Sequence, residues 1–320
     1  MHMNFWKDLK KPFTVLAPME DVTDVVFRSI VADCGRPDVF FTEFTSADGL
    51  NSPGREKVAK RLVKRNVESP IVAQIWGKKP ENYFKAAQDI VEMGFDGIDI
   101  NMGCPVRKIV KQGVCSALID NEPLAHEVIQ ATIEGTAGKI PVSVKTRLGF
   151  KVKRTEEWAA FLLNHDIQAL TIHGRISKEM SKFPCDWDEI KKVVDLKNKL
   201  GKDIVIIGNG DVNSLDEVDQ RVRETGVDGV MIGRGVFKDP FVFNPNKSIR
   251  DLNLNERLDL VETHVDRFAE QYGTKRNFEV LKRFFKIYVS DFDGANEIRQ
   301  KFMEVKSFNE VKELIKSLRS

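Results

Sequence analysis

Cysteine is scarce in this chain, and its four cysteines stand far apart at positions 34, 104, 115 and 185. No two of them form a CxxC pair, which argues against a structural zinc site. In a cytoplasmic protein such isolated thiols also argue against disulfide bonds. The sequence therefore predicts neither a bound metal nor a disulfide framework.

Long apolar runs and a strong net charge are missing as well. No apolar run approaches the roughly 20 residues that cross a bilayer, and the charged first ten residues do not form a secretory signal. We therefore expect a cytoplasmic protein with no membrane partner. The formal net charge is only +2, so the overall charge does not point to nucleic acid.

The glycine fingerprint of dinucleotide-binding folds is absent after the first strand-like run, where the chain reads Pro18-Met19-Glu20-Asp21. The sequence contains instead eight short apolar runs, most of them rich in Val and Ile. These runs are 14–17, 39–44, 71–75, 97–101, 142–146, 169–172, 204–207 and 229–232. Segments with helical spacing separate them, among them 80–93, 123–137, 156–165 and 214–225. Eight strand–helix units over about 240 residues predict a (β/α)8 TIM barrel, with a doubly wound open sheet as the rival fold.

The barrel is predicted to end near residue 245, where Asn244-Pro245-Asn246 breaks the chain. Beyond it only helical patterns follow, at 256–272, 278–290, 295–305 and 309–318. We therefore expect a catalytic barrel over 1–245 and a small all-helical domain over 246–320. A dimerisation element or a lid is the alternative for the helical part, and we expect the protein to be a monomer.

Polar residues stand at the C-terminal ends of the eight runs, which is the face where β/α barrels build their active sites. Each of them alone fits a cap, a turn or a surface charge, and Cys104 alone would fit a small core residue. Eight such strand ends on one rim predict a reaction site instead. The strand ends supply Pro18, Met19, Glu43, Gln74, Asn101, Cys104, Lys145, Arg147, His173, Asn209, Asp211, Gly233 and Arg234.

Glycine-rich turns follow the last two runs, at Gly208-Asn209-Gly210-Asp211 and Gly233-Arg234-Gly235. Barrel enzymes commonly bind phosphate at this place with backbone amides, and Arg234 adds a guanidinium group. Gln74 and Lys145 on other strand ends can hydrogen-bond a planar heterocycle. Together these residues predict flavin mononucleotide (FMN), whose reduced ring a lysine stabilises.

An ordered set of motifs connects the chain with a known family. The motifs are Ala17-Pro18-Met19, Thr42-Glu43, Ala73-Gln74-Ile75, Asn101-Met102-Gly103-Cys104-Pro105, Val144-Lys145-Thr146-Arg147-Leu148-Gly149, His173-Gly174-Arg175, Asn209-Gly210-Asp211 and Gly233-Arg234-Gly235. Through them the chain resembles the tRNA-dihydrouridine synthases. The resemblance runs from about residue 13 to residue 245 and continues more loosely in the helical part.

The resemblance implies reduction of the C5=C6 bond of a uracil in tRNA, with FMN as the cofactor and NADPH as the electron donor. Cys104 would protonate C5 after hydride reaches C6, and a thiol with an ordinary pKa of about 8.5 carries that proton at neutral pH. Asn101, Lys145 and Arg147 would hold the uracil. The residues implied for FMN are Pro18, Met19, Glu20, Gln74, Lys145, His173, Asn209, Gly210, Asp211, Gly233 and Arg234.

Two local runs of basic residues favour a tRNA partner in spite of the low net charge. Residues 55–65 hold six Lys or Arg against one Glu, and residues 275–286 hold five against one Glu. Phosphate contacts dominate nucleic-acid affinity, so we expect Lys282, Arg283 and Lys286 to contact tRNA. The aromatic rings interleaved with the second run are expected to pack in the core; they are Phe278, Phe284, Phe285 and Tyr288.

Three places depart from the family pattern. Ile176 and Ser177 stand where Thr and a basic residue are common, Ser181 where an aromatic residue is usual, and Cys115 where a small residue is usual. Two other functions remain open at this point. One is a dihydroorotate dehydrogenase-like flavin barrel that acts on a free pyrimidine, and the other is a flavin-free RNA-binding barrel whose chemistry has decayed.

Overall fold

A single parallel sheet organises the protein, of which the computed structural model describes residues 4–319. The strands are β1 (Phe13–Leu16), β2 (Phe40–Phe41), β3 (Thr45–Ser46), β4 (Ile71–Trp76), β5 (Gly97–Met102), β6 (Val142–Gly149), β7 (Ala169–Ile176), β8 (Val205–Asn209) and β9 (Gly229–Ile232). Their order is β1-β9-β8-β7-β6-β5-β4-β2, and β3 also pairs with β4. The two short strands β2 and β3 therefore share one position in the sheet.

The two ends of this sheet meet. Val15 of β1 forms a parallel bridge with Val39, just before β2. Leu16 N donates to Val39 O at 3.0 Å, and Val39 N donates to Thr14 O at 3.1 Å. Eight strand positions thus form a nearly closed barrel. The predicted (β/α)8 fold is confirmed, and the open doubly wound sheet is excluded.

Helices follow the strands as the spacing predicts. In chain order they are α1 (Phe5–Asp8), α2 (Val25–Cys34), α3 (Ala47–Leu50), α4 (Arg55–Ala59), α5 (Pro80–Glu92), α6 (Arg107–Val110), α7 (Glu122–Thr136), α8 (Thr155–Leu163), α9 (Trp187–Lys199), α10 (Leu215–Thr225), α11 (Gly235–Lys238), α12 (Leu254–Tyr272), α13 (Lys282–Tyr288), α14 (Ala295–Glu304) and α15 (Phe308–Arg319). Short 3-10 turns occupy Lys60–Leu62, Asn66–Glu68, Cys115–Asp120, Ser177–Glu179, Ile249–Asp251 and Phe278–Leu281. Among residues 4–319, no helix combines the length and the apolar character that crossing a lipid bilayer demands.

The strand boundaries differ from the sequence prediction in two ways. The second run splits into β2 and β3, because the Thr42 hydroxyl between them accepts from Gln74 N at 3.1 Å in place of a regular ladder. In addition, β6 and β7 run beyond their apolar segments to Gly149 and Ile176, which pair across a register shift. These extra residues carry polar side chains onto the rim of the barrel.

Apolar side chains fill the amino end of the barrel. Trp6 of α1 is completely buried and packs with Phe13, Val15, Phe41 and neighbouring core residues. The indole ring therefore closes this end of the barrel. The polar residues of the strands gather at the opposite, carboxyl end.

The described chain divides into two compact units, and the second consists of residues 26–36, 213–215 and 234–319. Within this unit Phe284, Phe285 and Tyr288 of α13 are buried, which confirms the prediction for these rings, whereas Phe278 is only half-buried. The Tyr288 hydroxyl lies 2.7 Å from Nδ1 of the buried His264 in α12. The boundary after residue 245 stays a prediction.

A glycine of the barrel offers a test of this packing. Gly229 is the register partner of Phe13, and a Cβ at Gly229 would lie 2.4 Å from a carbon of the Phe13 ring. We expect Gly229→Ala to lower the free energy of unfolding by about 1–3 kcal/mol through overpacking, measured by urea denaturation. Gly54→Ala is the control, since its Cβ would meet only Ser52 Oγ at 3.4 Å. Equal midpoints for the two variants would contradict the prediction.

Candidate active site

The register of the sheet brings the predicted site residues together in layers. Gln74, Asp99 and Ser143 are consecutive partners on β4, β5 and β6. Asn101 is the partner of Lys145 in the next layer. Arg147, His173 and Asn209 form a third series on β6, β7 and β8. Residues two apart on a strand share a face, so these layers lie on one side of the sheet.

A chain of hydrogen bonds runs through these layers to Cys104. Asp99 is fully buried and accepts from Ser143 Oγ at 2.6 Å and from Gln74 Nε2 at 2.7 Å. Gln74 Oε1 in turn accepts from Asn101 Nδ2 at 2.9 Å. Asn101 Oδ1 accepts from the backbone N–H groups of Gly103 at 3.0 Å and Cys104 at 2.9 Å.

The carboxylate of Asp99 determines which group donates and which accepts in each hydrogen bond of this series. An ionised carboxylate only accepts hydrogen bonds, so Gln74 must turn its NH2 group toward Asp99 and its oxygen toward Asn101. Burial raises the pKa of Asp99 to about 6, against the lowering effect of its two donors. The group therefore remains ionised at neutral pH. Sequence reasoning missed Asp99, although it is a charged residue inside an otherwise apolar strand.

Cys104 lies on the turn after β5 and shares a hydrogen bond with the thiol of Cys115. This bond is the main cause that lowers the pKa of Cys104 to about 7, helped by the Val106 N–H and opposed by burial. Burial and the same bond raise the pKa of Cys115 well above its ordinary value. Cys115 is thus the thiol of the pair that keeps its proton, and the ordinary pKa expected for Cys104 from the sequence is wrong because Cys115 lowers it.

The segment that contains Cys115 also hydrogen-bonds the backbone of Cys104. Ser116 Oγ donates to Cys104 O at 2.8 Å and lies 2.7 Å from Ser177 Oγ. Cys115 itself has a positive φ of 55°, a conformation that residues other than glycine rarely adopt. Sequence reasoning did not identify the role of Ser116, because its contact with Cys104 exists only in the folded chain.

Lys145 lies beside Asn209, one of the residues predicted to contact FMN. Lys145 Nζ donates to Asn209 Oδ1 at 3.0 Å, and Asn209 Nδ2 donates to Met231 O at 2.8 Å. Burial lowers the pKa of Lys145 to about 8, while Asp99 acts in the opposite direction. A buried ammonium group of this kind is stabilised by an anionic partner.

His173 and the turn after β8 also come together. A Cβ on Gly210 would lie 3.2 Å from His173 Cδ2 and 2.5 Å from Cys185 Sγ, and the φ of Gly210 is +133°. Asp211 forms an ion pair with Arg175, a nearly buried residue whose Nη1 lies 3.1 Å from His173 Nε2. The side chain of Asp211 therefore holds Arg175 in place, a partnership that the sequence did not reveal.

Residues from the first and last strands form another part of the rim. Pro18, Met19 and Glu20 follow β1 and are half-buried. A Cβ on Gly233 would lie 3.6 Å from Met19 Sδ, so the two turns are neighbours. Glu20 forms an ion pair with Arg61. Arg234 is the N-cap residue of α11 and belongs to the second unit.

Arg147 is almost buried and uses its guanidinium to hold backbone carbonyls together. Its Nε donates to Gly103 O at 2.7 Å, and its Nη1 donates to Met180 O at 2.9 Å and Ile176 O at 3.3 Å. Burial lowers the pKa of Arg147 to about 10, so the group stays charged at neutral pH. Its contact with uracil stays a prediction.

The predicted tRNA contacts on α13 differ in exposure. Lys282 pairs with Glu279 at 2.9 Å and its side chain is only 12% exposed. Arg283 and Lys286 are exposed. In the other basic run, Arg55 pairs with Asp89 at 2.6 Å, and Arg61 pairs with Glu20. Ion pairs thus occupy part of both runs.

Comparison with known proteins gives a consistent result over nearly the whole chain. A family model described as "Dihydrouridine synthase (Dus)" matches residues 15–319. A protein of Bacillus subtilis (strain 168) named "Probable tRNA-dihydrouridine synthase 2" is 45% identical over 319 residues, which are 98% of this chain and 96% of that protein. A "Probable tRNA-dihydrouridine synthase" of Staphylococcus aureus (strain MRSA252) is 43% identical over 318 residues, with coverages of 98% and 95%.

Solved structures share the fold at low sequence identity. The histamine dehydrogenase of Rhizobium sp. 4-9 has a TM-score of 0.54 at 14% identity and covers 79% of this chain and 48% of its own. The 6-hydroxypseudooxynicotine amine oxidase of Pseudomonas geniculata N1 has a TM-score of 0.54 at 13% identity, with coverages of 72% and 46%. These similarities concern the fold alone.

The thiol pair leads to a prediction about reactivity. Cys115→Ala removes the S–H donor, so the pKa of Cys104 should rise from its value of about 7. Because the thiolate is the nucleophile, the pH at which iodoacetamide alkylation of Cys104 is half-maximal should move upward. Peptide mass spectrometry over a pH series measures this midpoint. Cys115→Ser keeps a hydrogen-bond donor, so its alkylation midpoint should stay closer to that of the wild type. An unchanged midpoint in Cys115→Ala would contradict the assignment of Cys115 as the donor.

Proposed function

The chain belongs to the dihydrouridine synthase family, and from that premise we propose that it is a cytoplasmic, FMN-dependent enzyme that reduces the C5=C6 bond of uridines in tRNA with electrons from NADPH. The observation that carries the proposal is the hydrogen-bond chain that fixes Gln74, Asn101 and Cys104 beside the buried cation of Lys145. These hydrogen bonds connect Cys104, the proposed proton donor, with the amide groups of Gln74 and Asn101, which can hydrogen-bond a planar ring such as uracil or flavin.

The donor set of the rim fits FMN. The buried ammonium of Lys145 suits the negative charge of a reduced flavin ring, and the amide of Gln74 can hydrogen-bond its edge. Glycine turns after β8 and β9 suit a phosphate. When bound, FMN would supply the hydride that reaches C6 of the uracil. The proposed FMN-binding residues are Pro18, Met19, Glu20, Gln74, Lys145, His173, Asn209, Gly210, Asp211, Gly233 and Arg234.

Cys104 acts as the general acid in this proposal. The thiol passes its proton to C5 and becomes a thiolate, which the Cys115 S–H stabilises by the hydrogen bond already present. A proton from solvent then restores the thiol. Asn101, Lys145 and Arg147 hold the uracil, and the Asp99 chain keeps the Asn101 amide in one orientation. Since the reactive form is protonated, uridine reduction should decline as the pH rises through about 7.

A dihydroorotate dehydrogenase-like function is the alternative, because the same donors could hold a free pyrimidine. The two alternatives differ in substrate size. Assays with unmodified tRNA and with orotate, run side by side, distinguish them. A colourless preparation that takes up no FMN would instead support a flavin-free RNA-binding protein and contradict the proposal.

Replacement of Cys104 tests the catalytic assignment. We expect Cys104→Ala to lower dihydrouridine formation by about 10²–10⁴, while NADPH oxidation with FMN stays near the wild-type rate. Mass spectrometry of the tRNA measures the product, and absorbance measures NADPH. Cys34→Ala, which removes a thiol of the second unit, is the control and should leave both rates near wild type. A Cys104→Ala enzyme with full product formation would overturn the assignment.

The helical part gives a second prediction. Changing Lys282, Arg283 and Lys286 to Ala should raise the KM for tRNA and leave FMN content unchanged. Each lost phosphate contact should reduce the salt dependence of tRNA affinity by roughly 0.7 to 0.9 in log–log slope. Lys85→Ala with Lys199→Ala is the control, because both lysines are exposed and form no ion pair among the described residues. Its KM for tRNA should equal that of the wild type. Unchanged tRNA affinity of the triple variant across a salt series would contradict this prediction and favour a dimerisation role for the helical part.

A further inference from the structure

Three loops beside Cys104 share an unusual composition. They are residues 105–113 after β5, 150–154 after β6 and 177–183 at the end of β7, and we call them the basic rim. Together they hold eight Lys or Arg residues and one acidic residue, Glu179. Four large apolar side chains in them are exposed, namely Val106 at 47%, Val152 at 65%, Met180 at 45% and Phe183 at 58%. Cationic and apolar groups thus alternate on one edge of the barrel.

Most of the charge on the basic rim is not neutralised within the protein. Lys153 pairs with Asp186, and Arg154 pairs with Glu122 and Glu157. The other six cations are exposed, and their side chains form no ion pair within residues 4–319. They are Arg107, Lys108, Lys111, Lys151, Lys178 and Lys182.

Buried arginines connect the basic rim with the reaction site. Arg147 contacts both Gly103 O, next to Cys104, and Met180 O in the third loop. Arg175 donates to Phe183 O, and Lys178 N donates to Phe150 O at 3.0 Å. The backbone that carries Phe183 is therefore held in place while most of the ring stays in water. A ring in this setting gains free energy when a partner covers it.

We propose that the basic rim binds the RNA substrate, with Phe183 stacked on an unpaired base next to the target uridine and the six free cations on flanking phosphates. This inference rests on the proposed function. A uridine that leaves its stack to enter the site exposes the face of a neighbouring base. An aromatic ring replaces the lost stacking, and Lys and Arg neutralise the backbone phosphates. Alternating cationic and apolar residues match both needs.

Replacement of Phe183 tests the stacking contact in the FMN-loaded enzyme. We expect Phe183→Ala to weaken binding of an unmodified, fluorescently labelled tRNA transcript by about 5- to 150-fold, and Phe183→Trp to keep it. Fluorescence anisotropy measures the affinity. Leu200→Ala is the matched control, because Leu200 is an apolar residue 42% exposed at the C-terminal end of α9, which leads into the opposite end of the barrel. Its affinity should equal that of the wild type.

A salt series tests the phosphate contacts separately. Lys178→Ala with Lys182→Ala should lower the slope of log affinity against log salt by about 1.4 to 1.8. The control removes the same charge elsewhere, with Lys85→Ala and Lys199→Ala, two exposed lysines without ion pairs among the described residues. It should leave the slope unchanged. Equal slopes for the two double variants would overturn the phosphate assignment.

The outcomes separate this inference from the proposed function. If the wild type forms dihydrouridine in tRNA while Phe183→Ala binds tRNA as tightly, the function stands and the stacking contact is wrong. The stacking contact is also wrong if Phe183→Ala and Leu200→Ala weaken tRNA binding equally. If the wild type neither binds tRNA nor forms dihydrouridine, both proposals fail. FMN content should be the same in all variants, since the basic rim contains no residue assigned to the cofactor.

Discussion

The orientation of the site depends on one buried carboxylate. Asp99 has no solvent contact, and its two oxygens accept from Gln74 and Ser143, its register partners on the neighbouring strands. Because a carboxylate cannot donate, it determines which end of the Gln74 amide faces Asn101, and Asn101 then holds the N–H of Cys104. The free-energy cost of burying this charge is offset by two hydrogen bonds and by the nearby cation of Lys145. The closed barrel supplies the other requirement, which is a register that places these groups side by side.

Residues that we expect to depart from the family pattern lie around Cys104. Hydrogen bonding by the Cys115 thiol lowers the pKa of Cys104, and Ser177 contacts Ser116, whose hydroxyl donates to Cys104 O. Two of the three departures therefore act on the same residue. The third, Ser181, lies two positions before the exposed Phe183. In this chain an aromatic ring still belongs to that loop, although at a different position.

The sequence predicts the barrel well for a physical reason. Parallel strands covered on both faces are continuous apolar runs, and eight such runs alternate with amphipathic helices. The ends of those runs also contain Cys104, Asn101 and Lys145, which the fold brings together. The hydrogen-bond partners escape prediction because they depend on register: Gln74 and Asp99 lie 25 residues apart in the chain and become neighbours only when β4 pairs with β5. Arg175 shows the same limit, since its ion pair with Asp211 spans 36 residues.

Arg147 and Arg175 connect the surroundings of Cys104 and His173 with the loops of the basic rim. Both guanidinium groups are nearly buried, and both use backbone carbonyls as acceptors. Every residue of a loop has a backbone carbonyl, so these hydrogen bonds do not require particular side chains. The solvent-facing side chains of the loops can therefore vary while the position of the loop backbone stays fixed. Arg147 joins the turn of Cys104 to Met180, and Arg175 joins His173 and Asp211 to Phe183. The loops that face solvent are thereby fixed relative to the Cys104 thiol, as the proposed reaction requires, since in that proposal a base must be placed within reach of one proton donor.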